Sequence, residues 1–144
     1  MNPIFKKMNF KDQNSILVLF APESFHSEMA DMEAYCEVQT ELKTDQQYDY
    51  ILTFATSVKQ LAETMASLKD KFAADDPQLW VAYPKKSSKK YKSDINRDTG
   101  WGPVGEQGFE PVKQIAIDTD WSALRFRQVR FIKTLKRNPK MIIS

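Results

Sequence analysis

The stretch Tyr48–Lys85, YDYILTFATSVKQLAETMASLKDKFAADDPQLWVAYPK, decides the fold. Tyr50 to Ala55 is an unbroken apolar run with β-branched and aromatic members, the pattern of a strand covered on both faces. Ser57 followed three residues later by Gln60 is a helix start, in which a hydroxyl and an amide satisfy the first free backbone groups. Val58, Leu61, Ala62, Met65, Leu68 and Phe72 then recur at a 3.6-residue period and give the helix one apolar face. Asp75-Asp76-Pro77 stops it. Leu79 to Tyr83 is a second covered strand, and Pro84 ends the ladder because it has no N–H to donate. Strand, helix, parallel strand is the crossover unit of an α/β fold.

Working outward, Ile16–Phe20 is another continuous apolar run. Ala21-Pro22-Glu23-Ser24 breaks it, and Phe25, Met29 and Met32 follow at helical spacing. From Cys36 to Lys43 apolar and polar residues alternate, which predicts an edge strand with one wet face. Met1 to Asn14 has no clear period and reads as a loose lead-in. On the other side, Asp94 is expected to cap a short helix ending before Gly102-Pro103. Val112–Ile117 and Leu124–Gln128 read as two strands, with Asp118-Thr119-Asp120-Trp121-Ser122 as their hairpin link. The basic tail 129–144 has no decided conformation. The expected architecture is a single three-layer α/β domain over residues 1–144. Its mostly parallel sheet has the order 2-1-3-4-6-5, a truncated Rossmann-like arrangement closed by an antiparallel C-terminal hairpin.

Length and composition agree with one ordinary domain: 144 residues, 42% hydrophobic and 28% charged. No apolar run approaches the roughly 18–20 residues needed to span a bilayer, and the start lacks the apolar core of a secretory signal. The cytoplasm is therefore the expected compartment, and no membrane partner is expected. Cys36 is the sole cysteine and His26 the sole histidine. No internal disulfide, CxxC metal site or multi-histidine metal centre is available. The net charge of +2 hides a split: Met1–Gln78 has seven Lys/Arg against thirteen Asp/Glu, and Leu79–Ser144 has fourteen against six. A basic half of this kind suits an anionic partner or the acidic half itself.

In open α/β sheets ligands sit beyond the carboxyl ends of the strands. That edge collects Ser24, Thr56, Ser57, Lys85, Lys86 and Ser87. Asp118, Asp120 and Trp121 join them if the fifth strand is parallel. Helix N–H groups after Ser24 and Ser57 would favour an anion there, and the lysines would add charge. Gly100-Trp101-Gly102-Pro103-Val104-Gly105 fits G-x-G-x-x-G literally. It lacks the preceding strand and following helix of a dinucleotide loop, so it is expected to be a surface turn with no helix starting inside. The turn after the first strand, FAPESF, has no glycine. Ser–His and Cys–His pairs remain formally open, and Asp118 with Asp120 is as readily a turn as a carboxylate pair. Trp80, Trp101 and Trp121 read as packing residues. No catalytic residue, metal or cofactor is assigned.

At LWVAYPKK and VKQIAIDTDWSALRF the chain resembles a small bacterial family, the domain of unknown function three thousand and fifty-two. Leu79, Trp80, Pro84, Lys85, Lys86, Asp94, Asp118, Trp121, Ser122 and Leu124 carry the likeness. Tyr83 in place of Trp and the GWGPVGEQG segment depart from it. The family has no assigned reaction, so the resemblance implies fold and motif only. At a greater remove, Tyr48–Lys85 looks like the later half of a class I methyltransferase domain, without its glycine loop or the acidic residue that holds the methyl donor. The reading reached is a non-catalytic module that binds an anion (nucleic acid, phosphorylated metabolite or acidic protein) at Lys85–Ser88. The alternatives are a degenerate or atypical group-transfer enzyme and a subunit that docks through its C-terminal tail.

Overall fold

The computed structural model describes residues 1–132. One six-stranded sheet runs in the order β2-β1-β3-β4-β6-β5, as the apolar runs and crossover rules predict. Its strands are β1 (Ser15–Leu19), β2 (Glu37–Gln39), β3 (Tyr50–Phe54), β4 (Gln78–Pro84), β5 (Phe109–Ala116) and β6 (Trp121–Gln128). β1 pairs in parallel with β2 and β3, and β3 with β4. β6 is antiparallel to both β4 and β5. β5 therefore runs with the parallel strands, and the β5–β6 link lies at their carboxyl edge.

The helices are α1 (Pro3–Lys7), α2 (His26–Met32), α3 (Val58–Leu68) and α4 (Gly102–Gly105). Alternation along the strands sends Leu17, Ile51, Val81 and Leu124 to the α3–α4 face. Ile16, Val18, Leu52 and Trp80 go to the α1–α2 face. Each face has its own buried cluster, which makes three layers. No helix among the described residues is long and apolar enough to cross a membrane.

Five expectations need correction. The last two strands begin earlier than expected, β5 at Phe109 and β6 at Trp121, because Trp121 and Ser122 pair with β4, so the link between β5 and β6 is shorter than Asp118–Ser122. The lead-in is not loose: Asn2 accepts hydrogen bonds from Ile4 N and Phe5 N and caps α1, with Pro3 in the first turn. Phe5 and Met8 are fully buried, and the Tyr50 hydroxyl donates to Met8 O at 2.7 Å. The predicted strand 36–43 shrinks to β2, three residues long. The Tyr48 hydroxyl donates to Gln39 Oε1 and accepts from Lys43 N, turning the chain away from the ladder.

Asp94 caps no helix of its own. Its carboxylate accepts from Val58 N at 2.8 Å and so closes the start of α3. Finally, α4 does start inside the glycine segment, at Gly102. Pro103 suits a first helical turn, and burial of Trp101 and Val104 pulls the segment into the core. Of the tail, only 129–132 is described, beginning with a 3₁₀ turn at Val129–Phe131. The rest of 129–144 lies outside the described residues.

Candidate anion-binding edge

β4 is buried along its whole length and delivers the chain to the carboxyl edge at Pro84, opposite Trp121. The loop that follows is strapped down at several points. Lys85 N donates to Asp120 O at 2.7 Å, and Ser88 Oγ donates to Asp120 Oδ1 at 2.8 Å. Farther along, Asp94 holds Val58 N, and Trp101 Nε1 donates to Arg97 O. Asp118 is used within its own turn, where Oδ1 accepts from Asp120 N and Trp121 N. Gly100 adopts φ +99°, and a Cβ there would stand 3.1 Å from Ile95, so the turn back to the core requires glycine.

Two clefts of about 430 Å³ each open beside this loop. They share Lys85, Lys86 and Asn96, which form a ridge between them. One cleft continues over Tyr83, Arg97, Gln114 and Ser122, with the exposed carboxylate of Asp98 also in its lining. Gln114 Nε2 donates to the Tyr83 hydroxyl at 2.8 Å, and burial pushes that phenol above its ordinary value against the pull of Arg97. The other cleft is walled by Pro84, Tyr91 and Ile95, with Lys92 at its rim.

From Lys85 to Arg97 the sequence has six Lys/Arg and one acidic residue, Asp94, which is engaged at α3. Lys85, Lys86 and Arg97 have no carboxylate partner among the described residues; Arg127 is the cation held by a carboxylate, bidentate to Asp76. The edge can therefore attract an anion and donate hydrogen bonds to it.

Of the residues singled out from sequence, Lys85, Lys86 and Ser87 line the clefts. Ser24 is exposed in a 3₁₀ turn and caps nothing. Ser57 does cap α3, accepting from Gln60 N, and Thr56 N donates to Gln60 Oε1. With Val58 N held by Asp94, three of the backbone amides around this helix start, those of Thr56, Val58 and Gln60, are already used within the protein, which narrows the expected helix-start contribution to an anion site. Trp121 is buried against Phe54 and Tyr91 at centroid distances of 5.0 and 4.8 Å, which makes it a brace for the site. Asn96, Arg97, Gln114 and Tyr83 were not identified from sequence. Gln114 and Tyr83 meet only through the β5–β6–β4 register, which no local pattern reveals.

A larger groove of about 650 Å³ lies at the other end of the same edge, beside the ends of β1 and β2. Its walls include Leu19, Phe20, Leu42 and the Gln60–Thr64 side of α3, with Glu41 and Glu63. Phe20 is 60% exposed and holds a left-handed φ of 60°.

No known family's sequence profile matches the chain, so the expected likeness to the small bacterial family is not confirmed. No curated protein matches it either. Solved structures do match. A SAM-dependent methyltransferase from Aquifex aeolicus superposes with a TM-score of 0.55 at 11% identity, covering 88% of each chain. The N-methyltransferase NodS from Bradyrhizobium japonicum gives 0.52 at 10% identity, over 80% of this chain and 85% of its own. A ribosomal protein L11 methylase from Lactobacillus delbrueckii gives 0.51 at 10%, over 85% and 74%.

The turn after β1, where this fold would cradle a methyl donor, is built differently here. There Phe20, not glycine, takes the left-handed position, Pro22 offers no amide, and Phe25 N is spent on Pro22 O. Glu41 supplies an acidic group past β2, but the backbone cradle is missing, and the residues present do not fit a donor held by main-chain amides. What the chain has in common with class I methyltransferases is the fold.

Proposed function

We propose that this protein is a binding module for an anionic partner, engaged at the Lys85–Ser88 edge, with no catalytic step. The observation that carries the reading is the ridge of Lys85 and Lys86 between two clefts, with Arg97 beside it and every nearby carboxylate but Asp98 committed elsewhere. Lys85, Lys86 and Arg97 line the same cleft on a strapped loop, and none is paired with a carboxylate among the described residues. An anion there gains charge-assisted hydrogen bonds. The group-transfer alternative has the fold likeness in its favour, and that likeness is weighed down by the turn after β1.

The test is a binding titration of inorganic polyphosphate at low and moderate salt. Wild type is expected to bind with affinity that falls as salt rises. The Lys85→Ala/Lys86→Ala variant should keep its melting temperature, because substitutions of exposed side chains cost little, and lose most of the binding. Equal affinities for the two proteins would remove the edge from consideration.

A further inference from the structure

We infer that the anion is a single-stranded nucleic acid, with an internucleotide phosphate over Lys85 and Lys86 and one base against Tyr91; this rests on the anion-binding reading above. The two clefts differ in chemistry as the two sides of a nucleotide step do. On one side the half-buried ring of Tyr91 offers an aromatic surface, backed by the buried side chains of Pro84 and Ile95. On the other, exposed Asn96 and Gln114 offer polar atoms suited to a sugar or a base edge, Gln114 through its Oε1 because its Nε2 is held by the Tyr83 hydroxyl. A ligand whose anionic centre sits on the shared ridge reaches both clefts only if it has a body on each side of that centre. A phosphodiester has this form; inorganic phosphate and a mononucleotide do not.

Tyr91 is fit for stacking because it is already braced. Its ring packs against buried Trp121, and its other neighbour is the long-stemmed ammonium of Lys90, 5.5 Å from the ring centroid. A base arriving there displaces an exposed lysine and orders little else, and Lys89, Lys90 and Lys92 stand ready for flanking phosphates. Neutral aromatic platforms flanked by cations are how strands without duplex structure are held. A duplex is disfavoured by shape: its bases are not free to enter either cleft. The longer elements near the edge are tied into the fold rather than free to enter a major groove: α3 packs its apolar side on the sheet, and β6 of the β5–β6 hairpin is also paired with β4.

The experiment compares a labelled ten-nucleotide single strand, a duplex of the same length and inorganic polyphosphate, by fluorescence anisotropy on the full chain. The single strand is expected to bind more tightly than the duplex. Tyr91→Leu should weaken the single strand about 5- to 150-fold, as removal of one base–aromatic stack does. It should leave polyphosphate binding and the salt slope unchanged. Tyr91→Phe should retain single-strand binding.

Lys85→Ala/Lys86→Ala should weaken both ligands and lower the single-strand salt slope by about 0.7 for each phosphate no longer neutralised. In the wild-type chain, photocross-linking of a 5-bromouracil strand should label Tyr91, which checks the stacking without a variant. Polyphosphate binding with no preference for the single strand, or cross-links only elsewhere, would overturn this inference and leave the anion reading standing. No binding to any polyanion would sink both.

Discussion

Phe20 and Trp121 are aromatic residues at the same carboxyl edge of one sheet, and they are treated in opposite ways. Trp121 is 3% exposed, wedged between Phe54 and Tyr91 beneath the strapped loop. Phe20 is 60% exposed, in a backbone conformation that costs a non-glycine residue about 1–2 kcal/mol, and it overlooks the larger groove. The larger hollow is thus at the loosely finished end of the edge, and the smaller clefts are at the end where the nearby backbone turns are secured. Volume alone points to the first; prearranged chemistry points to the second.

The sharpest way to break this contrast is Trp121→Ala. It should cost about 3–5 kcal/mol in urea unfolding, the usual loss for a buried large aromatic. A cost below about 1 kcal/mol, outside that range, would mean that the secured end is not packed as described. Tyr50→Phe probes the sealed underside, where a hydroxyl ties the sheet to the α1 segment. Loss of that buried bond should cost about 1–2 kcal/mol.

The same substitution has a pH signature. Burial raises the Tyr50 phenol well above its ordinary value of 10.0. Unfolded chains release this proton near pH 10 while the folded protein keeps it, so wild-type stability is intact below that pH and declines above it. Tyr50→Phe should show a flatter alkaline limb in the same denaturation series.

Asp94→Ala should cost about 1 kcal/mol, the typical value of a helix cap. It should also raise amide exchange in both the 85–97 loop and the first turn of α3; exchange confined to one of them would show that the loop and helix are not joined there. The smallest effect is expected at the loose end. Phe20→Gly should stabilise by up to about 1 kcal/mol, relief of the left-handed strain less the entropy of glycine. Polyanion binding should not change. A destabilised Phe20→Gly would show that the exposed ring is packed after all.

The sheet was legible in sequence because Ile16–Phe20, Tyr50–Ala55 and Leu79–Tyr83 are uninterrupted apolar runs and handed crossovers leave few orders to choose from. The α1 segment was not, since five residues are too few to show a period. Its signal was the Asn2-Pro3 pair, a cap followed by a first-turn proline. β2 was overread because alternation from Cys36 to Lys43 continues past the point where Tyr48 diverts the backbone. At the candidate site, Lys85 and Lys86 were visible as a charge run after a strand-ending proline. Arg97 lay in the same stretch and was passed over. Gln114 stood out in no local pattern, because only strand register sets it against Tyr83.

The Asp118–Asp120 turn carries a consequence for the field around the loop. Two carboxylates lie within the hairpin that faces six cations, and on composition alone they would blunt the positive potential. Each instead points an oxygen at the protein's own donors: Asp118 at two backbone amides, and Asp120 at the Ser88 hydroxyl. Hydrogen bonds of this kind turn part of their negative charge inward, while the ammonium groups extend into water. Acids that fasten the scaffold keep their charge, with these oxygens directed at the turn and the loop, so the potential an anion would meet at the proposed site depends on where the charges sit as well as on their count.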